Sequence, residues 1–290
     1  MAIENAKQML LKATAEKYAV GAFNITNIIQ MKAVVEAAVR KKSPLIIQTS
    51  VSPSKFLQPE VLGAVYRTIA EQAPIPICLH LDHCNEVDYC KTCADVGYTN
   101  IMIDASHHDF EENIRQTREV SDYCHARDLS VEGELGTVSG IEDQVIVAED
   151  AAQLCDPEMA IEFVERTGID LLAPAIGTAH GVYKTSNPKL DFDRLATIAD
   201  MINGVEPTTP IVIHGGTGLA PDVVRKLVAL GGSKFNVSTE LKHVLLDTTF
   251  DYISANRDQY NPGKVDLAVT EAIIGCIENW MDLLGSSGKA

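Results

Sequence analysis

Short apolar runs rich in Val, Ile and Leu alternate along this chain with longer segments whose apolar residues recur at helical spacing. Eight such runs occur: Tyr18–Asn24, Leu45–Thr49, Ile75–Asp82, Asn100–Asp104, Leu129–Glu134, Asp170–Ala175, Ile211–His214 and Lys234–Val237. Continuous apolar runs separated by helices are the mark of parallel strands covered on both faces. Thr26 to Arg40 keeps Ile28, Ile29, Val34, Val35 and Ala38 near one face, and Pro59 to Ala70 does the same with Val61, Leu62, Val65 and Ile69. Asp109–Arg127, Asp156–Thr167, Asp191–Ile202 and Pro221–Leu230 each begin near an acidic residue or a proline, as helix N-termini prefer. Gly97, Gly168 and Gly231-Gly232 fall where helices would end. Eight such units predict an α/β fold of the closed (β/α)8 class, a TIM barrel. Leu241–Ser254 and Val265–Leu284 add a pair of C-terminal helices, and no linker divides residues 1–290, so one domain is expected. The competing doubly wound fold would carry a glycine-rich turn after its first strand, and Phe23-Asn24-Ile25-Thr26-Asn27 has none.

Composition narrows the function. The chain has 290 residues, 46% hydrophobic and 22% charged, with a formal charge of −16. That is globular rather than disordered, and its acidity argues against nucleic acid or an anionic membrane as partner. No apolar run approaches the roughly 20 residues of a membrane span. The N-terminus lacks a signal-peptide pattern, and seven cysteines make an odd, sparse set. A reducing cytoplasm is therefore the expected setting.

In such a barrel the chemistry sits where the strands end. Run three ends His80-Leu81-Asp82-His83, run four Ile103-Asp104, and run five Glu132-Gly133-Glu134. Run six leads to Gly177-Thr178-Ala179-His180-Gly181, run seven to His214-Gly215-Gly216-Thr217-Gly218, and run eight to Asn236-Val237-Ser238-Thr239-Glu240. His83, His180 and His214 are candidates to converge on a divalent ion, since three imidazoles with an open position make a catalytic zinc site. Each, taken singly, also fits a hydrogen-bonded rim residue. Asp104 and Glu134 fit three roles: partners of the ligating histidines, ligands of a second metal position, or ion-pair residues of the barrel. Asp82 beside a ligand is a candidate proton acceptor or a supporting carboxylate. Gly215, Gly216 and Thr217, with Asn236, Ser238 and Thr239, stand where these barrels bind phosphate, although tight turns also need glycine. Cys90-Lys91-Thr92-Cys93 falls inside a helix and is expected to pack there; His80 belongs in the barrel interior, and His107-His108 in a solvated loop.

With these residues in place the chain resembles the class II fructose-bisphosphate aldolase family, in particular its shorter branch that includes tagatose-bisphosphate aldolases. The diagnostic stretches are Leu79-His80-Leu81-Asp82-His83-Cys84 and Val131-Glu132-Gly133-Glu134-Leu135-Gly136, supported by the three strand-end segments after runs six to eight. The resemblance implies Zn²⁺ on His83, His180 and His214, with Asp104 and Glu134 at an alternate metal position that admits a second divalent or a monovalent cation. It implies Asp82 as acid/base and Glu142, in Gly140-Ile141-Glu142-Asp143, as the loop carboxylate that moves the proton at C3. Asn24, Gly181, Gly215, Gly216, Thr217, Asn236, Ser238 and Thr239 match substrate contacts, and Lys184 matches a residue on the phosphate side. The implied reaction is reversible cleavage of a ketose bisphosphate, such as fructose or tagatose 1,6-bisphosphate, into dihydroxyacetone phosphate and an aldehyde. Apart from the resemblance, the terminal helices suggest an oligomer, a homodimer or homotetramer.

Two departures from the pattern stand out. Ser139 occupies the place of one of two adjacent glycines, which should stiffen that loop. No arginine follows Asn261-Pro262, where bisphosphate-cleaving relatives generally carry one, so Lys264 or Arg257 would have to hold the far phosphate. The alternative is an aldolase for a ketose 1-phosphate whose aldehyde half is different or unphosphorylated. A metal-dependent hydrolase would take an HxH pair from strand one, which Asn24-Ile25-Thr26 lacks. A non-catalytic sugar-phosphate-binding barrel would show damage at Asp82 or the three histidines, and all four are present.

Overall fold

The predicted strands close on themselves. The computed structural model describes residues 2–142, 145–147, 153–181, 183, 188–205 and 208–290, with backbone alone for 141–142 and 145–147. The chain starts with a helix that the periodicity does not announce, α1 (Ala6–Glu16). It continues through β1 (Val20–Asn24), α2 (Ile28–Lys41), β2 (Leu45–Thr49), α3 (Val51–Leu57), α4 (Pro59–Ala70), β3 (Ile77–Cys84), α5 (Val87–Asp95), β4 (Asn100–Ile103), α6 (Phe110–His125) and β5 (Ser130–Leu135). A hairpin of β6 (Ser139–Glu142) and β7 (Val145–Val147) precedes α7 (Pro157–Thr167), β8 (Leu171–Pro174) and the short β9 (Ala179–His180). Then come α8 (Phe192–Asn203), β10 (Ile211–Ile213), α9 (Pro221–Ala229), β11 (Gly232–Val237), α10 (Thr239–Ala255) and α11 (Pro262–Leu284). The order β1-β11-β10-β8-β5-β4-β3-β2 forms a closed barrel, and its ladders are parallel. This is the predicted (β/α)8 architecture, and the barrel strands are buried along their length.

Local chemistry starts the helices where expected. The side chains of Asn27, Asp109, Asp156 and Asp191 accept backbone N–H bonds from the first turns of α2, α6, α7 and α8. Each satisfies a donor that the helix itself leaves unpaired, worth about 0.5–2 kcal/mol. Two apolar cores result. One lies between barrel and outer helices and takes in Cys90 and Cys93, which pack as free thiols. The other fills the lower lumen, where Ala6, Met9, Leu10 and Ala13 of α1 meet Val20, Ala22, Ile46, Cys78, Leu171, Ala173 and Val212. Thus α1 closes the N-terminal end, and the polar residues collect at the opposite one.

The segment after β5, expected as a loop, forms a second sheet of order β7-β6-β9. Its register pairs Ser139 with Ala179 and Gly140 with His180. A Cβ on Gly140 would stand 2.3 Å from the His180 carbonyl oxygen, so this approach needs glycine. At the C-terminus α11 packs on both α2 and α10. No helix among the described residues is long and apolar enough to cross a membrane.

Candidate active site at the C-terminal end of the barrel

The site begins with an irregularity in β3. Register against β4 shifts between Leu81 and Cys84, and His83 adopts a left-handed φ of 47°. In a regular strand Asp82 and His83 would point to opposite faces. The kink turns both into one cleft. A non-glycine residue held this way costs about 1–3 kcal/mol, a strain typical of sites that must aim particular groups.

Asp82 is buried among amides. Asn24 Nδ2 donates to its Oδ2 at 2.8 Å, Gln48 Nε2 approaches the same oxygen at 3.4 Å, and Asn236 Nδ2 donates to Oδ1 at 3.1 Å. Burial pushes its pKa up, but the nearby His83, Lys234, His80 and His214 outweigh this and hold it down at about 2. Asp82 is therefore ionised and held in one orientation.

The three predicted histidines meet. Ring centroids lie 4.7 Å apart for His83 and His180, 4.5 Å for His83 and His214, and 5.7 Å for His180 and His214. One ligand atom from each lies within 4.8 Å of the other two. Asp104 Oδ2 sits 2.8 Å from His83 Nδ1, which leaves His83 Nε2 buried without a hydrogen-bond partner. Glu132 Oε1 sits 3.0 Å from His214 Nε2. His214 Nδ1 lies 3.2 Å from Glu134 Oε2 but without hydrogen-bond alignment, and both atoms are unpartnered. His83, Asp104 and Glu134 form a second group with metal-ligating spacing. In the metal-free protein burial opposes protonation of His83, yet Asp82, Asp104 and Glu134 raise its pKa well above the usual value. His214 is also raised, since Glu132 and Glu134 overcome burial and the repulsion of His83.

Above the histidines lies the glycine-rich loop. The cleft, about 270 Å³, is lined by Asn24, Asp82, His83, His180 and Gly181, together with Gly215, Gly216, Thr217, Asn236, Ser238 and Thr239. Gly215 has φ 71° and a Cβ there would fall 2.4 Å from the Ala179 carbonyl oxygen; one on Gly216 would fall 2.5 Å from the Phe235 ring. Both backbones approach their neighbours closely, Gly216 N donating to the Asn236 carbonyl at 3.3 Å, and the loop lies next to the N-terminus of α10, a helix end that suits an anion. Tyr183 donates its hydroxyl to the Gly215 carbonyl at 2.7 Å and accepts from Ala179 N at 3.2 Å, tying this loop to β9. Thr217 Oγ1 accepts from Glu240 N at 3.3 Å, and the Glu240 carboxylate accepts from Trp280 Nε1 at 2.9 Å.

The chain matches the family model described as fructose-bisphosphate aldolase class-II over residues 4–289. It is 39% identical over 293 residues to a fructose-bisphosphate aldolase of Geobacillus stearothermophilus, covering 100% of this chain and 99% of that one. The chain belongs to the class II fructose-bisphosphate aldolase family. Two solved structures agree with that placement. A Coccidioides immitis protein assigned as a fructose-1,6-bisphosphate aldolase superposes with TM-score 0.89 at 31% identity, covering 99% of this chain and 98% of that one. The YdjI aldolase of Escherichia coli K12 gives TM-score 0.86 at 32% identity, with 99% of each chain covered.

Class II aldolases depend on zinc in general. The residues here fit such an ion: three imidazoles converge, and two of them present buried nitrogens without a hydrogen-bond partner. Two residues matched to this family by resemblance are not placed. Lys184 lies outside the described residues, and so does the side chain of Glu142, whose backbone runs in β6. His107 is exposed, as expected of a loop, yet it lines a second cleft beside His83, Asp104 and Glu134.

The strand-end pattern misses several partners. Gln48, at the end of β2, bridges Asn24 and Asp82, with its Nε2 2.5 Å from Asn24 Oδ1. Its polarity in an otherwise aliphatic run was the available signal. Ser106 donates its hydroxyl to Asp104 Oδ1 at 2.7 Å and fixes that carboxylate. Lys234, a lone charge at the start of run eight, is fully buried. Tyr183 gives no sequence signal at all.

Proposed function

We propose that this chain is a zinc-dependent aldolase that cleaves the C3–C4 bond of a ketose bisphosphate, fructose or tagatose 1,6-bisphosphate, and releases dihydroxyacetone phosphate. The observation that carries this reading is the meeting of three histidine nitrogens beside an ionised, triply hydrogen-bonded Asp82. His83, His180 and His214 would hold the zinc, which when bound supplies the Lewis acid that stabilises negative charge developing on the ketose. Asp82 accepts the C4 hydroxyl proton as the aldehyde leaves, and the amides of Asn24, Gln48 and Asn236 keep its oxygens aimed. Glu142 returns a proton at C3. Gly181, Gly215, Gly216 and Thr217, with Ser238 and Thr239, receive the phosphate, assisted by Lys184. Asp104 orients His83 and Glu132 orients His214, while Asp104 and Glu134 offer the alternate position for a second divalent or a monovalent cation.

A second reading concerns the aldehyde half. Among the described residues neither cleft beside the histidines is lined by Arg or Lys, and residues 261–290 contain no arginine. This favours a ketose 1-phosphate with an unphosphorylated aldehyde portion. Steady-state kinetics with both bisphosphates and with ketose 1-phosphates, read by dihydroxyacetone phosphate release, test both readings. Release that a chelator abolishes and zinc restores is expected, and no release from any of these ketoses overturns the proposal. A strong bisphosphate preference removes the second reading.

We further propose that residues 1–290 act as one catalytic domain in a reducing cytoplasm, where the seven free thiols stay reduced. The assembly proposed is a homodimer or homotetramer. Its support is the outer face of α10, where Leu246, Phe250 and Ile253 recur at helical spacing and are 61%, 71% and 45% exposed.

A further inference from the structure

Beneath the histidines the lumen holds a buried polar chain to which the proposed chemistry gives no step of its own. Lys234 on β11, Glu132 on β5 and His80 on β3 are each fully buried. Lys234 Nζ lies 2.8 Å from Glu132 Oε2 and 3.4 Å from His80 Nε2. The other oxygen of the same carboxylate, Glu132 Oε1, stands 3.0 Å from His214 Nε2. His80 Nδ1 is in turn 2.6 Å from Asn100 Nδ2. Barrel interiors are ordinarily filled by branched aliphatic side chains. Burying an ammonium and a carboxylate instead costs several kcal/mol per ion before their attraction offsets it, so the pair is not explained by stability alone.

Its geometry leads to the metal ligands. A carboxylate accepting from Nε2–H fixes one tautomer and one ring orientation of His214, and the nitrogen left over is Nδ1. Nδ1 is buried without a hydrogen-bond partner, and with Nε2 taken by Glu132 it is the nitrogen left for the three-histidine cluster. The charge facing the second oxygen of Glu132 is the Lys234 ammonium, an ion pair at 2.8 Å.

We propose that Lys234 is a positioning residue for His214, acting through Glu132: the ammonium anchors one carboxylate oxygen so that the other keeps the His214 ring turned toward the zinc position. This rests on the reading that His83, His180 and His214 bind zinc. The test is a double-mutant cycle of Lys234→Met and Glu132→Gln, read by the zinc dissociation constant from competition with a chromophoric chelator, with far-UV circular dichroism and melting of the metal-free proteins as the folding control. Loss of a partner to a metal-ligating histidine typically weakens metal binding about 10–100-fold. That loss is expected for Lys234→Met beside Glu132, and a change of under about twofold when residue 132 is already Gln. An equal loss in both backgrounds, the signature of a packing role, overturns the proposal, as does unchanged affinity in folded Lys234→Met. Should Lys234→Met not fold, Lys234→Gln takes its place in the cycle under the same criteria. Wild-type protein that binds no zinc, or binding untouched by His180→Ala, defeats the metal reading itself. Normal wild-type binding with a flat cycle defeats only the role of Lys234.

Discussion

Asp82 and His83 are neighbours with different proposed duties, and the left-handed torsion at His83 lets both line the same cleft. Because three amides and the surrounding positive field hold Asp82 ionised, its loss should remove proton transfer without removing the metal. Asp82→Ala is expected to keep zinc, measured by metal analysis, while kcat falls by at least about 10²-fold. Normal turnover in that variant would exclude Asp82 as the proton acceptor. The histidines give a pH signature. In the metal-free protein His83 and His214 are raised above 6.5, so the stability they contribute is fully present below that pH and is lost as pH rises through their folded values. Zinc must displace those protons, so its binding strengthens with pH. The melting-temperature gain on adding zinc should therefore be larger at pH 8 than at pH 6; a gain that shrinks with pH contradicts the assignment.

At the scale of elements, the site was legible wherever chemistry coincided with a strand end. A closed parallel barrel sends all those ends to one rim, so Asp82, His83, Asp104, Glu134, His180 and His214 could be gathered without any distance being known. Partners that meet across the lumen were not legible. Whether Lys234 faces Glu132 depends on the stagger of strands that are not adjacent in the barrel, which no local period encodes. The small β7-β6-β9 sheet escaped for another reason: Gly136 to Gly140 carries neither a two-residue nor a helical repeat, and its pairing is set by the approach of His180. The loops also differ in tolerance. Gly215 and Gly181 both have positive φ, but among the described residues only a Cβ on Gly215 meets an obstacle, with none of them within 4 Å of one on Gly181. Gly215→Ala should lose more than the about 1–3 kcal/mol of a left-handed non-glycine residue and raise KM for the phosphorylated substrate, while Gly181→Ala loses no more than that. Equal denaturation midpoints for the two variants would show that the collision with Ala179 is relieved without cost.

On the scale of the whole molecule, the barrel is closed below by α1 and left with an apolar helix face at its C-terminal flank. Only Leu241 of α10 is buried, whereas Leu246, Phe250 and Ile253 face outward. An exposed apolar face of this kind is what the proposed homodimer or homotetramer would bury. Light scattering coupled to gel filtration should give a multiple of 31.4 kDa for the wild type and the single-chain mass for the pair of substitutions Leu246→Glu and Phe250→Glu. A wild-type protein that elutes as one chain at micromolar concentration would remove the assembly from consideration.

Trp280 is the sole tryptophan of the chain, and it donates to the same glutamate whose backbone nitrogen reaches the hydroxyl of Thr217. Nature has thereby wired an emitting indole to the loop that would close around an anion. Occupancy of that loop should be readable as a change in ultraviolet fluorescence, without a label, even in a variant that turns nothing over.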